Sequence, residues 1–168
     1  MNKTKKSGTG SAAKEVAAFI AKFDPEIARL TRQCRTILRK RYPSAIELVY
    51  DNYNALAIGY GPTEKTSDCI FSLAVYARGV NLYFIYGRSL ADPDRLLLGN
   101  GKQGAFIRVE TATTLDEPKV RELMDRAVKK QRPTFAPQGR GYVVVKSISK
   151  KQRPRRPGLA GERSRVRD

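Results

Sequence analysis

Apolar residues recur at helical spacing in the first quarter of the chain. The first such stretch, residues 14–23, predicts an amphipathic helix. Asp24 and Pro25 then mark a new helix start, because aspartate can cap free backbone amides and proline is tolerated at the first helical position. A second helix is therefore expected from Pro25 to about Tyr42, and Pro43 ends it.

After residue 45 the pattern changes to short β-rich runs separated by turn residues. Four runs occupy residues 46–50, 55–60, 69–76 and 80–86. A fifth occupies residues 105–110, and helical spacing returns at about 117–130. Because the connections are short, we expect antiparallel hairpins. The pattern predicts an α+β fold with an antiparallel sheet of about five strands, packed against two N-terminal helices and one C-terminal helix.

Asp92 and Pro93 repeat the Asp-Pro helix start and predict a single helical turn over residues 95–98, ended by Gly99. The loop that follows matches the spacing of a dinucleotide-binding fingerprint. Such a site needs a strand before the glycines and a helix after them, whereas the order here is reversed. The simplest interpretation is a tight turn that glycine permits.

An anion nest is the alternative interpretation of this loop. In such a nest successive backbone amides contact a phosphate or carboxylate. Lys102 and Arg108 would supply positive charge beside the amides around Gly101.

Positive charge is concentrated towards the two ends of the chain. The net charge is +17, of which residues 1–11 contribute three lysines and no acid. Residues 12–130 carry 19 basic and 14 acidic residues, whereas residues 131–168 carry 11 basic and 2 acidic ones. We therefore expect a flexible basic N-terminus at 1–13, a domain at 14–149 and a basic, Pro/Arg-rich tail at 150–168 that is mobile.

Within the domain, basic residues also gather on one side of the second helix. At 100° per residue, four arginines fall opposite its apolar face and are expected to point away from the core. Together with the tail they form the predicted polyanion-binding set: Arg29, Arg32, Arg35, Arg39, Lys150, Lys151, Arg153, Arg155 and Arg156. Arginine and extended proline-rich backbone suit contact with a polyanion, although a charged terminus can also serve solubility alone.

The absence of histidine restricts the available chemistry. It excludes Ser-His-Asp and Cys-His catalysis and His-ligated metal sites. No pair of carboxylates stands out as an acid and a base, so an enzymatic function is the weakest interpretation. Cys34 and Cys69 lack metal-ligand spacing, and we expect both to be reduced, buried side chains. The sequence predicts no metal site and no cofactor.

Polar and aromatic residues near the first hairpin could line a small pocket together with the glycine-rich loop. The candidate residues are Tyr50, Asp51, Tyr53, Asn54, Asn81, Tyr83, Gly101, Lys102 and Arg108. The alternative is that Asp51 and Asn54 only form the backbone hydrogen bonds of a hairpin turn.

Two stretches resemble a known family. Residues 90–102 resemble the block L-x-D-P-x-x-L-L-x-G-x-G-K of the YdhG-like family of domains of unknown function, and residues 80–84 are similar to its central strand. The resemblance covers about residues 14–130, and residues 143–149 and 151–156 resemble the ending of a subgroup. It implies an α+β fold with an antiparallel sheet and, from some members, a frataxin-like iron chaperone. Such iron delivery relies on a ridge of carboxylates, yet residues 28–42 contain no acid.

Two functional hypotheses result. The first is a non-enzymatic binding module that contacts nucleic acid or another polyanion through the tail and the arginine-lined helix. The second is a carrier of a small anionic ligand or iron that uses the pocket beside the glycine-rich loop.

No apolar run is long enough to span a membrane and no secretory signal is evident, so we expect a cytoplasmic protein without a membrane partner. An edge strand near residues 142–148 could pair within one chain or between two, which leaves the oligomeric state open.

Overall fold

A computed structural model describes residues 9–157 of the chain. Most of the predicted flexible N-terminus and the last part of the predicted tail, residues 1–8 and 158–168, lie outside the described residues. The described part contains three α-helices and one six-stranded sheet, which confirms the α+β fold. The strand number is one higher than expected.

The helices are α1 (Thr9–Ala21), α2 (Pro25–Arg41) and α3 (Pro118–Lys130). Helix α1 begins before the predicted residue 14, and Ala12 is buried in the core, so this first turn has a packing role. Helix α2 has Pro25 in its first turn as predicted, but the Asp24 side chain makes no capping hydrogen bond. Each helix buries one apolar face, which is the main source of helical stability in proteins.

The strands are β1 (Ile46–Asp51), β2 (Leu56–Gly61), β3 (Phe71–Tyr76), β4 (Gly79–Phe84), β5 (Ala105–Val109) and β6 (Val143–Ile148). Their order across the sheet is β5-β4-β3-β2-β1-β6. Strands β1 to β5 form consecutive antiparallel pairs, whereas β6 pairs with β1 in parallel. The sheet is therefore mixed: its first five strands are antiparallel as expected, and β6 adds one parallel pair. A parallel pair needs a long crossover, and the segment that contains α3 supplies it.

The two faces of the sheet differ sharply. The covered face carries the main core, in which Val49, Ile58, Leu73 and Leu82 from neighbouring strands pack against the three helices. The opposite face, here called the open face, has only a small apolar cluster around Leu48. Because side chains alternate along a strand, every residue of β1 to β5 belongs to one face or the other.

The segment between β4 and β5 does not contain the predicted helical turn. Asp92 accepts hydrogen bonds from the backbone amides of Leu96 and Leu97, both at 2.9 Å, but the chain turns at a positive φ of 53° at Arg95. Leu98 then pairs with Phe106 in an isolated antiparallel bridge. The Asp-Pro signal therefore predicted the cap correctly and the element wrongly, because an aspartate caps an isolated turn as readily as a helix.

Among the described residues, no helix combines the length and the apolar character needed to cross a membrane.

Candidate functional site

A buried carboxylate organises the basic side of α2. Glu47 of β1 is 2% exposed, and both of its oxygens accept hydrogen bonds from Arg35, from Nε at 2.8 Å and from Nη2 at 3.1 Å. The Tyr60 hydroxyl donates to the same carboxylate at 2.9 Å. Such a two-pronged arginine–carboxylate pair is among the stronger charged contacts in proteins. It fixes the position of Arg35 against the sheet.

This arrangement raises the pKa values of Tyr60 and Arg35, the two residues that donate hydrogen bonds to Glu47. Burial, together with the Glu47 charge and hydrogen bond, raises the pKa of Tyr60 well above its usual value. Burial alone would lower the pKa of Arg35, but the hydrogen bond and charge of Glu47 outweigh it, and the net pKa is raised. Both groups therefore keep their protons throughout the neutral range.

A basic groove runs along this side of α2. Arg32, Arg35, Thr36 and Arg39 line a cleft of about 370 Å³. A second cleft of about 420 Å³ shares Arg39 and adds Lys40, Glu47, Arg140 and Tyr142. We call these two adjoining clefts the α2 groove. Glu47 is the one acid among their described lining residues, and its charge is already matched by Arg35.

The four arginines predicted on this helix face are thus not equivalent. Arg29, Arg32 and Arg39 are exposed as expected. Arg35 was expected to point away from the core and does not: its side chain is 14% exposed and lies against the sheet. The helical pattern could not show this, because the partner Glu47 belongs to the next element of the chain.

The beginning of the predicted tail is attached to the domain. Arg155 is 7% exposed and donates from Nη2 to the Asp51 carboxylate at 2.8 Å and to the Asn52 carbonyl at 2.6 Å. The fully buried Asp51 carboxylate also accepts from Nζ of Lys22, the residue directly after α1, at 2.8 Å. The expectation of a mobile segment directly after Ser149 is therefore wrong for residues 150–157, which we call the docked tail.

Further contacts hold the docked tail in place. The Arg153 amide donates to the Tyr53 carbonyl at 2.9 Å, and its guanidinium lies 5.6 Å from the centre of the Tyr53 ring. Arg156 Nε donates to the Lys22 carbonyl at 3.2 Å. Lys150, Lys151, Arg153 and Arg156 are exposed, whereas Arg155 is committed to Asp51. One residue of the predicted polyanion-binding tail is therefore structural.

Glu47 and Asp51 anchor both basic regions to one strand. They lie four residues apart on the covered face of β1, beside Val49. At about 3.3 Å per residue, the two anchoring points are about 13 Å apart. The α2 groove and the docked tail are thus fixed at opposite ends of β1.

The open face of the sheet contains a cavity of about 790 Å³ at the predicted pocket. Four of the residues in the predicted pocket line it: Tyr50, Tyr53, Asn54 and Tyr83. Tyr76, Thr66, Cys69, Ser149 and four small strand residues, Ala57, Gly59, Ser72 and Ala74, complete most of its surface. The small residues were not predicted to line a pocket. They alternate with buried apolar residues along β2 and β3, and this pattern indicates that they share the face opposite to the core.

The other predicted pocket residues lie elsewhere. Asp51 points to the covered face, where it binds Arg155. Asn81 and Arg108 lie side by side on the open face in register, but neither lines the cavity. Gly101 and Lys102 are exposed in the loop before β5, where Arg88 donates to the Gly101 carbonyl at 2.9 Å. The predicted pocket residues thus divide among four places, of which the cavity is one.

The glycine-rich loop still influences the cavity through Gly104. A β-carbon at this position would lie 1.9 Å from the Tyr83 hydroxyl oxygen. A larger residue at 104 would therefore have to displace the Tyr83 ring, because the chain passes directly over the end of that ring.

Metal-binding side chains are not gathered in the described part of the chain. Among residues 9–157, no three Cys, Asp or Glu side chains are close enough to hold a metal ion together. Cys34 and Cys69 are both free and buried. Burial raises the pKa of the Cys34 thiol to about 12 and that of Cys69 to about 11, with Asp68 adding to the effect at Cys69.

Comparison with known proteins adds no relative: no protein-family model, curated protein or solved structure matches this chain. The resemblance to the YdhG-like family therefore stays a prediction from the sequence.

Proposed function

We propose that this protein is a non-enzymatic cytoplasmic module that binds nucleic acid or a similar polyanion through the α2 groove and the docked tail. The supporting observation is the groove itself, which gathers Arg32, Arg39, Lys40 and Arg140 around clefts in which the one described acid is already paired. Exposed arginines in a concave surface bind phosphate oxygens well, because the guanidinium presents several donors in a fixed fork.

Preorganisation strengthens this proposal. Glu47 holds Arg35 in place and lies 3.5 Å from Arg39, so the groove does not have to order all its side chains on binding. At the other end of β1, the contacts of Arg155 hold the exposed Lys150, Lys151 and Arg153 close to the domain. Ordering side chains costs about 0.5–1.5 kcal/mol each on association, and part of that cost is already met by folding.

The test is fluorescence anisotropy with labelled DNA and RNA over a range of salt concentrations. The triple variant Arg32→Gln, Arg39→Gln, Arg140→Gln is expected to bind more weakly and to reduce the salt slope by about 1 for each lost phosphate contact. The matched control is Lys102→Gln, Lys119→Gln, Lys129→Gln, which removes the same charge from exposed positions outside the groove. Equal weakening by both triples would show that only net charge matters and would contradict a groove.

The contribution of the tail needs separate variants. A chain ending at Pro157 keeps the Arg155–Asp51 pair and removes only residues 158–168, whereas an end at Ser149 would leave Asp51 without Arg155. Arg153→Gln with Lys150→Gln and Lys151→Gln then tests the docked tail in an intact fold. Binding that is unaffected by this triple variant would limit the interface to the α2 groove.

A small-ligand carrier is the second candidate, and the cavity on the open face supports it. Its volume of about 790 Å³ is within the usual range for ligand pockets. Native mass spectrometry of the freshly purified protein is expected to show a retained small molecule. A clean apo mass would count against this candidate. The residues described offer no metal cluster in favour of the iron variant of this hypothesis.

A further inference from the structure

Four tyrosines line the cavity on the open face, Tyr50, Tyr53, Tyr76 and Tyr83, and we call them the aromatic platform. The proposed binding through the α2 groove and the docked tail gives these rings no role. Tyr53 and Tyr76 are 49% and 42% exposed, although both line the cavity. Exposed tyrosines at a concave surface are typical of binding sites, because each ring offers a large contact area and a polar end.

The strand register shows how the platform is built. Tyr50, Ala57, Ala74 and Asn81 form one row across β1 to β4, and Leu48, Gly59, Ser72 and Tyr83 form the next. Small side chains thus occupy the two middle strands, with tyrosines on the strands outside them. Neighbouring strands are about 4.8 Å apart, so the flat floor between Tyr50 on β1 and Tyr83 on β4 spans about 14 Å.

The chemistry of the lining restricts the occupant. None of the described residues that line the cavity carries a charge; apart from apolar groups they offer hydroxyls and amides, including Asn52, Asn54 and Ser149. Such a surface suits a planar, neutral group with hydrogen-bonding edges. It does not suit a phosphate, which needs cations or a cluster of backbone amides.

Cations stand immediately outside the cavity. Ser149 lines it, and the exposed Lys150 and Lys151 follow directly in the chain. Arg153 lies over the ring of Tyr53, which is itself part of the lining. Arg78, in the β3–β4 hairpin at the same end of the sheet, is also exposed, and Glu110 is the exposed acid at this end. Positive charge therefore borders the aromatic platform, which itself carries no charge.

We infer that the open face binds the bases of a single-stranded nucleic acid, with the bases stacked on Tyr53 and Tyr76 and the phosphates held by Lys150, Lys151 and Arg153. This inference rests on the proposed function and names the form of nucleic acid that it takes. Proteins that bind single strands combine a basic surface with aromatic side chains on which bases stack, because every base has a flat face. In a duplex the bases are stacked inside the double helix, so they cannot stack on the aromatic platform.

The experiment compares polyanions that differ only in whether bases are available. The full-length protein is titrated into labelled single-stranded RNA and DNA of about 15 nucleotides and into the matching duplexes, and unlabelled inorganic polyphosphate serves as a base-free competitor. We expect both single strands to bind more tightly than their duplexes, and polyphosphate to compete weakly. The RNA and DNA arms show which sugar the protein prefers.

Tyrosine variants then locate the bases. Tyr76→Ala and Tyr53→Ala are each expected to weaken single-strand binding by about 5- to 100-fold. Tyr76→Ala should leave duplex binding unchanged. Tyr53→Ala also removes the ring beside Arg153, so its expected result is a larger loss of affinity for the single strand than for the duplex. Tyr76→Phe and Tyr53→Phe are the matched controls, since they keep the stacking ring and should retain the affinity. Because Tyr53 and Tyr76 are partly exposed and outside the main core, circular dichroism should show an unchanged fold. Crosslinking of bromouridine-substituted RNA, read by mass spectrometry, should label a peptide that contains one of these tyrosines.

The outcomes separate this inference from the proposed function. Equal affinity for single strands and duplexes, with no effect of the alanine variants, would overturn the inference. The proposed function would still stand if that affinity depended on the α2 groove and fell with rising salt concentration. Absence of binding to all nucleic acids would overturn both. Displacement of a retained small molecule by free nucleosides without oligonucleotide binding would assign the cavity to a carrier and also overturn the inference.

Discussion

Helix α2 and the docked tail are both basic, and each places one arginine against a buried carboxylate of β1. Arg35 pairs with Glu47 and Arg155 pairs with Asp51. The two pairs differ in what else holds their segments. Helix α2 buries Ala28, Cys34 and Leu38 in the core and has its own backbone hydrogen bonds. The docked tail has few such contacts.

This difference shows that the same type of ion pair can have two roles. In α2 the helix is already placed by apolar packing, so the Arg35–Glu47 pair mainly orients a side chain. In the docked tail the Arg155–Asp51 pair, with the neighbouring contact to Asn52, holds the backbone itself. Removing the Asp51 charge should therefore release a segment, whereas removing the Glu47 charge should leave its segment in place.

The largest expected effect comes from Asp51→Asn. It leaves the buried Arg155 without a counter-charge and also removes the partner of Lys22, which should lower the free energy of unfolding by about 3–5 kcal/mol. Urea denaturation measures the loss. Trypsin should also cleave after Lys150 and Lys151 much faster than in the parent protein. Glu110→Gln, at an exposed position, is the control and should change neither readout.

Glu47→Gln should cost less, about 2–3 kcal/mol, because the amide oxygen can still accept from Tyr60 and because Arg35 keeps some contact with water. The distinguishing observation is tryptic cleavage of the tail, which should stay as slow as in the parent. If Glu47→Gln and Asp51→Asn released the tail equally, the two pairs would not have the separate roles described above.

A pH titration tests the buried side of α2. Burial raises the pKa of Cys34 from 9.0 to about 12, so the folded state holds this proton more tightly than the unfolded state. The resulting stability is fully present below pH 9 and decreases as pH rises from 9 towards 12, at up to about 1.4 kcal/mol per pH unit for this thiol. In Cys34→Ala the alkaline decline of the unfolding free energy should be shallower. Parallel curves for the two proteins would contradict this.

The smallest expected effect on stability belongs to the exposed arginines. Arg32→Gln and Arg39→Gln should each change the free energy of unfolding by less than about 0.5 kcal/mol, because Arg39 is 56% exposed at its side chain and Arg32 is also exposed. Thermal or urea denaturation checks this. A loss comparable to that of Glu47→Gln would mean that these side chains support the fold and are not available to a ligand.

The sequence was most informative where structure depends on neighbours in the chain. Helical spacing predicted all three helices, with α2 and α3 within one residue of their observed ends. Turn residues predicted the hairpins that join β1 to β4. In these elements the pattern of apolar residues and the local backbone preferences favour the same structure.

Pairings between distant segments could not be predicted in the same way. The parallel pairing of β6 with β1 and the contact of Arg155 with Asp51 both join residues about a hundred positions apart. Nothing in the local pattern around Arg155 distinguishes it from Arg153 or Arg156. Only the position of Asp51 on the covered face decides which of them is buried, and that depends on the register of the whole sheet.

For the candidate site, residue types were predicted better than their arrangement. Tyr50, Tyr53, Asn54 and Tyr83 do line one cavity, because the strands and turn that carry them meet at the open face. Asp51 directly follows Tyr50 in β1 and therefore belongs to the opposite face, because side chains alternate along a strand. This alternation would have separated the two residues already at the level of the sequence. Gly101 and Lys102 lie on a loop whose path no local signal specifies.

The parallel contact between β1 and β6 also has a consequence for synthesis of the chain. Strand β1 leaves the ribosome nearly a hundred residues before β6, so until then one of its edges has no partner strand. An unpaired edge is where nascent sheets associate wrongly with other chains. During that interval Asp51 lies on this edge strand without Arg155, and a charge there disfavours such association. We therefore expect the carboxylate that later holds the docked tail to have an earlier role as well, against association of the growing chain.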